Sequence, residues 1–584
     1  MTRKLLSLLL AIGTLAACNQ PAHSPNPLRR DQSFFGIHFD FHAGPKDENI
    51  GARTTPEMVQ AIIDMAHPDY IQVDCKGHPG YSSYPTEVGN RVPSLVGDPL
   101  KVWREVTARN GVALYMHYSG VWDSRAIELH PGWAEINKDG ESRPNVTSVF
   151  GPYADSLLIP QLKELAGVYG VDGVWVDGEC WATCTDYCEA AVTAFREKYG
   201  AVPPKDPGEP LWYEWKDFNR QAFRDYMKHY VDAVHAEYPD FQICSNWAFT
   251  HHMPEPVSVP VDFLSGDYSK LNSVNYVRVA ARYLQSQGMP WDLMAWSFYG
   301  ISDGSEQKPA VQLMREAAVT LSQGGGFQIY FTQNRDGSVN LDKLFALPEV
   351  AAFARARQPF CFRSTSVPQV ALLFSEWDYR HRDNPKNPAG IYPALNDRVD
   401  GILQCLLECQ YSVDIMGEEK LLADIDKYPL VVVPADAALS PEFREELRRY
   451  EDQGGKVLMA AGADSEAGAD REQLRAGMKA AVSALFPDPM VEIEGSPYVD
   501  LALRTLNGRL QLHLVNTSGD HRNSPRLDEI PPVDDLRISV RLPRKPRSIV
   551  RQPSGERMDF TYTDGKASFT LERLEIYDIV EIKQ

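Results

Sequence analysis

The sequence predicts an α/β protein built on a (β/α)8, TIM-like barrel, followed by a second α/β unit and a C-terminal β-sandwich. Three observations predict it. Apolar runs of strand length alternate with helix-period segments from Phe34 to about Phe360. A shorter strand–helix alternation starts near Gln369, and from about Val491 apolar and polar residues alternate with period two. With 584 residues the chain has room for two or three domains. The boundaries are read at 1–30 (leader and tether), 31–362 (barrel), 363–485 (second α/β unit) and 486–584 (sandwich).

Barrel strands are expected at Phe34 to Phe41, Tyr70 to Asp74, Ala113 to Tyr118 and Val174 to Asp177. They continue at Gln242 to Trp247, Phe263 to Asp267, Leu293 to Ser297 and Gln328 to Thr332, with helices between them. In the second unit, strands at Val370 to Phe374, Pro429 to Val433 and Lys456 to Ala460 flank helices at Asp397 to Cys409 and Pro441 to Gln453. Leu510 to Val515 and Ile538 to Leu542 are strands of the sandwich.

Pro160 to Trp181, PQLKELAGVYGVDGVWVDGECW, carries the chemistry. Leu162, Leu165 and Tyr169 recur at helical spacing, Gly170 stops that helix, and Val171 to Val176 reads as a buried strand. Asp177 then stands at the strand's carboxyl end, with Gly178 opening the turn. Catalytic groups of a β/α barrel collect at that end. An acid there, ringed by Trp175, Glu179 and Trp181, reads as a nucleophile. The plainer alternative is that Asp177 caps the next helix.

The same run resembles the nucleophile strand of glycoside hydrolase family 29, the α-L-fucosidases. There a Gln-Leu-x-Glu-Leu helix leads to a strand ending Trp-Phe-Asp-Gly, whose Asp forms the covalent intermediate. The matching positions are Gln161, Leu162, Glu164, Leu165, Trp175, Val176, Asp177 and Gly178. Lys76, His78, Gly80 and Tyr81 resemble that family's Lys-His-His-Asp-Gly-Phe segment, which supplies sugar-binding histidines. Gly111 to Ser119 resembles a strand ending Tyr-Tyr-Ser, and Gly325 to Val339 a last strand closing on Asp-Gly. The resemblance spans about Phe35 to Val339 and guides the count of eight strands. Gly77 replaces the first His of the pair and Phe331 the usual Asn, so the likeness is distant.

The resemblance implies how the strand ends are used. His38, Asp40 and His42 come from the first strand, with His42 matching the family's His-Trp-Gly. Lys76 and His78 come from the second, His117 and Tyr118 from the third, and Asp177 with Trp181 from the fourth. Trp247, Asp267, Trp296 and Tyr299 follow on later strands. Polar groups that read hydroxyls and aromatic faces that cover C–H surfaces suit a monosaccharide pocket; for each His alone, a core histidine is the plain alternative. Retaining hydrolysis needs a second carboxyl roughly 5–5.5 Å from the nucleophile. Gly266 to Val274 resembles the family's acid-bearing segment without its Glu. Asp267 is therefore the first choice of acid/base and Glu179 the alternative, ahead of Glu214 and Asp292. The expected activity is that of an exo-acting, retaining α-L-fucosidase with no cofactor or metal. A galactosidase on the same scaffold is the second reading, and a non-catalytic glycan-binding protein the third.

The second α/β unit resembles the trimerisation domain of family 42 β-galactosidases, itself like a glutamine amidotransferase fold. Pro434, Ala435 and Asp436 stand where an amidotransferase carries its nucleophilic Cys, which implies a structural role. A homo-oligomer is implied only by that analogy. At the amino end, Arg3 and Lys4 precede the apolar Leu5 to Ile12 and then Leu15-Ala16-Ala17-Cys18. That is a bacterial lipoprotein signal, too short to span a bilayer as a permanent helix. It predicts lipidation at Cys18, and Asn19 after it favours the outer membrane. Asn19 to Arg30 would be a flexible tether. A formal charge of −20 argues against nucleic acid as a partner. The nine cysteines imply no disulfide framework; Cys180, Cys184 and Cys188, at i, i+4 spacing, would share one helical stripe as buried thiols.

Overall fold

Eight parallel strands form one sheet that curls into a barrel: β1 (Phe35–Asp40), β2 (Tyr70–Lys76), β3 (Ala113–Ser119), β4 (Gly173–Asp177), β5 (Gln242–Ser245), β6 (Leu264–Asp267), β7 (Trp291–Trp296) and β8 (Gly326–Thr332). This computed structural model describes residues 29–268, 272–299, 306–392, 397–461, 470–519 and 526–584, without the side chains of 397 and 398. The ladder runs β5-β4-β3-β2-β1-β8-β7-β6. Asp262 closes the ring between β5 and β6. Its backbone amide donates to the Ile243 carbonyl at 2.9 Å, and its carboxylate accepts from the Ile243 amide at 2.8 Å. The signal segment with Cys18, and residues 19–28 of the expected tether, lie outside the described residues.

Alternation along each strand decides what faces where. Ile37, Phe39, Ile71, Val73, Leu114, Met116, Val174 and Val176 point outward into the apolar layer under the helices. Tyr70, Tyr115, Trp175, Cys244, Phe263 and Met294 form a separate cluster inside the barrel. The helices Pro56–Ala66 and Pro99–Arg109 start with Pro at their first position and are capped by Thr55 and Asp98. Ala154 to Tyr169 is one helical run with wide, π-type turns at both ends. Gly170 ends it at φ 61°, a left-handed conformation that favours glycine. Residues 246–263 join β5 to β6 without a helix, so one of the expected barrel helices is replaced by a loop.

The barrel's amino-terminal floor is plugged by Arg30. Its Nε donates to Asp292 at 2.7 Å, and its guanidinium lies 3.5 Å over the Tyr70 ring, against Tyr115 and Phe263. Arg30, which the sequence reading placed in the tether, belongs to the barrel core. Among the described residues no helix is long and apolar enough to cross a membrane.

In the second unit four parallel strands order as Val413–Met416, Val370–Leu373, Leu430–Pro434, Val457–Ala460. The C-terminal part forms two antiparallel sheets of six and four strands around Leu501, Leu512, Leu514, Leu536 and Ile538. The six-stranded sheet includes Thr365–Ser366, which precede the middle unit in the chain. Arg278 on a barrel helix grips Asp500 of that sheet with two hydrogen bonds of 2.7 and 2.8 Å. The Cys180–Cys188 run is a correction: it lies in loop and turn, the helix starting only at Glu189. Cys180 and Cys184 are buried free thiols, as are Cys75, Cys244, Cys361 and Cys409.

Candidate functional site

The carboxyl ends of β1 to β6 bring four acids and three histidines into one cleft. Asp177 ends β4, and Gly178 turns the chain away at φ 68°. The next helix is capped from Cys188, so Asp177 is not a helix cap. One Asp177 oxygen faces His117 Nε2 at 3.3 Å and His78 Nε2 at 3.6 Å; the other accepts from Asn246 Nδ2 at 2.8 Å. The same Asn246 nitrogen lies 3.5 Å from Asp267 Oδ1, and Trp296 Nε1 donates to Asp267 Oδ2 at 2.9 Å. A single amide thus touches both carboxylates.

Burial and partners push the two acids apart. Burial alone would raise Asp177, yet the hydrogen bond from His117, the charges around it and the Asn246 amide hold it well below the usual carboxylate range. Asp267 is pushed up to about 6, first by burial and then by the charge of Asp177, against the hydrogen bonds of Trp296 and Asn246. At neutral pH Asp177 is a bare carboxylate. Asp267 exchanges its proton close to that range.

His117 is the positive centre of the site. Burial opposes its charge, but Asp40, Asp177 and Asp74 together raise its affinity for a proton well above the ordinary value. Its Nδ1 lies 3.1 Å from Asp74 and its Nε2 within 3.8 Å of Asp40. Asp40 also contacts His42 Nε2 at 2.9 Å. His78 is pushed down to about 4, chiefly by burial; its Nδ1 meets the Ser119 hydroxyl at 2.6 Å. His38 sits one layer deeper, against Gln72 at 2.8 Å, and burial pushes it down to about 3. A Cβ at Gly77 would lie 2.4 Å from His42 Cα. Gly77 therefore lets the His42 backbone approach, and His42 occupies the space beside His78, their rings 4.3 Å apart.

The structure brings together His38, Asp40, His42, His78, His117, Asp177, Asp267, Trp181, Trp247 and Trp296, and it leaves four expected residues outside. Lys76 is buried against Asp123 at 2.8 Å, the Ser119 carbonyl and Tyr153. A β-bulge between Asp74 and Lys76 shifts the alternation that would have aimed it inward. Tyr118 points outward to Gln161 at 2.9 Å. Tyr299 donates to Gln312 at 2.6 Å, on the helical side. Glu179 is fully buried behind β4 and β5, held by Tyr230 at 2.9 Å and by Ser245. The acid/base alternative is thereby corrected: Glu179 faces the helical layer. Asp292 belongs to the floor with Arg30, and Glu214 to the first turn of the helix Trp212–His235.

Asp74, Asn246 and Trp122 were not anticipated. Asp74 could have been found from the inward period Tyr70, Gln72, Asp74; Asn246 and Trp122 carry no sequence signal of their own. By proximity Asp40, His42, Asp74 and His117 could enclose a cation, and so could His42, His78 and Asp177. A protonated His117 engaged on both nitrogens offers no lone pair, which disfavours the first set.

No family model and no curated protein matches the chain. Among solved structures it is similar to α-L-fucosidase isoenzyme 2 from Paenibacillus thiaminolyticus, with a TM-score of 0.80 at 16% identity over 94% of this chain and 99% of that one. It is also similar to a β-galactosidase from Bacillus circulans sp. alkalophilus, with a TM-score of 0.66 at 13% identity over 94% and 99%. A GH42 β-galactosidase from G. stearothermophilus gives 0.67 at 12% identity over 96% and 100%. The three-part architecture, barrel, α/β unit and β-sheet region, is therefore that of known multidomain structures over nearly their whole length.

Proposed function

We propose that this chain is a retaining exo-glycoside hydrolase that releases L-fucose from α-L-fucosides. The observation that carries the reading is the Asp177–Asp267 pair, bridged by Asn246 and split in proton affinity. The bridging nitrogen is 2.8 Å from one carboxylate and 3.5 Å from the other, so the nearest oxygens lie closer than those two lengths end to end. That favours the close spacing of retaining enzymes, roughly 5–5.5 Å, over the roughly 6.5–9.5 Å of inverting ones.

Asp177 attacks the anomeric carbon while Asp267 gives its proton to the leaving oxygen. Asp267 then takes a proton from water as the glycosyl–Asp177 ester is hydrolysed. His117 fixes Asp177 as the anion. His42, Asp40, Asp74 and His78 read hydroxyls from the other side of the pocket. The fucose reading comes from the sequence resemblance around Asp177, and the fold is similar to that of an α-L-fucosidase, with a TM-score of 0.80. The β-galactosidase likenesses keep a galactoside as the second reading, since L-fucose is 6-deoxy-L-galactose.

The test is hydrolysis of an aryl α-L-fucoside beside aryl α- and β-galactosides, with the first-formed anomer read by NMR. α-L-Fucose as first product supports the reading. β-L-Fucose refutes retention, and turnover of a galactoside alone moves the specificity. The lipoprotein reading of Arg3 to Cys18 is also proposed, and labelling of Cys18 by a lipid precursor tests it.

A further inference from the structure

We infer that Trp122, Trp181 and Trp247 form the wall that binds the leaving group, and that this group is a pyranose ring with an apolar C–H face, the next sugar of an oligosaccharide. The inference rests on Asp177 as nucleophile and Asp267 as acid. The acid marks the side on which the leaving oxygen must sit, and the indoles continue from that side. Trp247 Nε1 donates to the Asp267 carbonyl at 3.0 Å, which fixes the indole beside the acid. Trp181 follows at 6.3 Å from Trp247, and Trp122 at 4.9 Å from Trp181, ring centre to ring centre.

His78 stands between Trp122 and Asp177: it stacks on Trp122 at 4.7 Å and approaches Asp177 at 3.6 Å. Of the hydroxyl-reading groups Asp40 and Asp74 are buried, whereas His42, His78 and all three indoles are partly exposed. Core indoles of this chain are not: Trp103, Trp175 and Trp215 are 3%, 2% and 0% exposed. Trp247 is further held at φ 63°, an uncommon conformation for a bulky residue, with the His252 ring stacked on it at 4.1 Å. Partly exposed, rigidly backed aromatic faces leading away from an acid suit a sugar ring presenting C–H bonds, not a small alcohol.

The experiment compares kcat/KM for an α-L-fucosyl disaccharide with a β-gluco-configured leaving sugar, for methyl α-L-fucoside and for an aryl α-L-fucoside. Wild type, Trp181→Ala and Trp181→Phe are measured, with inhibition by free L-fucose as a separate readout. Trp181→Ala is expected to lower the disaccharide-to-methyl ratio on the order of tenfold, and Trp181→Phe to restore most of it. Equal losses on both substrates, with weaker L-fucose inhibition, would overturn the inference and return the indoles to the retained sugar or the core. A change confined to the aryl substrate would overturn the pyranose assignment. If only galactosides are cleaved, the same comparison is made with the galactosyl pair. If no glycoside is cleaved, the catalytic reading itself falls, and the wall with it.

Discussion

The mouth and the floor of this barrel both bury charge, and they do so in opposite ways. At the floor one cation meets one anion: Arg30 holds Asp292 at 2.7 Å, and the other Asp292 oxygen takes Ser265 at 2.6 Å and Gln328 at 2.8 Å. At the mouth Asp40, Asp74 and Asp177 converge on the imidazolium of His117, and Asp40 also contacts His42. Among the described side chains Asp267 is held by the neutral donors Trp296 and Asn246. The same inward alternation builds both ends. Matched charge makes a plug, while charge left in competition spreads proton affinities and makes a pair of acids with different tasks.

The largest expected effects separate the two ends. Asp177→Asn should lower kcat on the order of 10⁴-fold or more, with little change in thermal midpoint. Arg30→Ala should do the reverse. It strands Asp292 in the core and destabilises by about 3–5 kcal/mol, while the folded fraction keeps its turnover. Midpoints and per-active-site kcat, measured together, check both. Turnover lost with Arg30, or stability lost with Asp177, would break the comparison.

Asp267 gives the next effect. The acid must carry its proton for the first step, so kcat/KM should fall as pH rises through about 6. Asp267→Asn should lower kcat/KM roughly 10²–10⁴-fold on poor leaving groups and erase that alkaline limb. Asn246→Ala should cost on the order of tenfold. It removes a donor that favours ionised Asp267, so the limb should move to higher pH. A limb that stays in place would show that the amide does not couple the two acids.

How far this contrast could be read beforehand depends on the residue type. The strands and Asp177 were visible because strand period, Gly170 and Gly178 are local signals, while the count of eight leaned on the family resemblance. Strands read at Tyr70 to Asp74 and Ala113 to Tyr118 are Tyr70–Lys76 and Ala113–Ser119. Glu179 was misplaced because, two residues beyond an inward group, period two predicts inward again; Lys76 was placed by the family resemblance, and period two after Asp74 would have aimed it inward as well. A bulge broke that period at Lys76, and the Gly178 turn broke it after Asp177. The floor was not readable at all. Arg30 sits in a polar, Pro-rich stretch that looks like tether, and only the ring of Tyr70, Tyr115 and Phe263 gives it a place.

Glu179 supplies the smallest and most pointed test, because it is buried charge that belongs to neither end. Burial pushes it up to about 8, against the hydrogen bonds from Ser245 and Tyr230. The folded protein therefore keeps a proton that the unfolded chain loses near the ordinary Glu value of about 4.3. By linkage the carboxyl's contribution is fully favourable below that value and is lost progressively as pH rises through about 8. Glu179→Gln cannot ionise. Its thermal midpoint should gain on wild type steadily between pH 5 and 8 and run parallel to it below, while kcat/KM changes less than about tenfold, far less than expected of a general acid. A hundredfold loss of kcat/KM with no change in the pH dependence of stability would return Glu179 to the acid/base role and leave Asp267 a structural carboxyl held by Trp296.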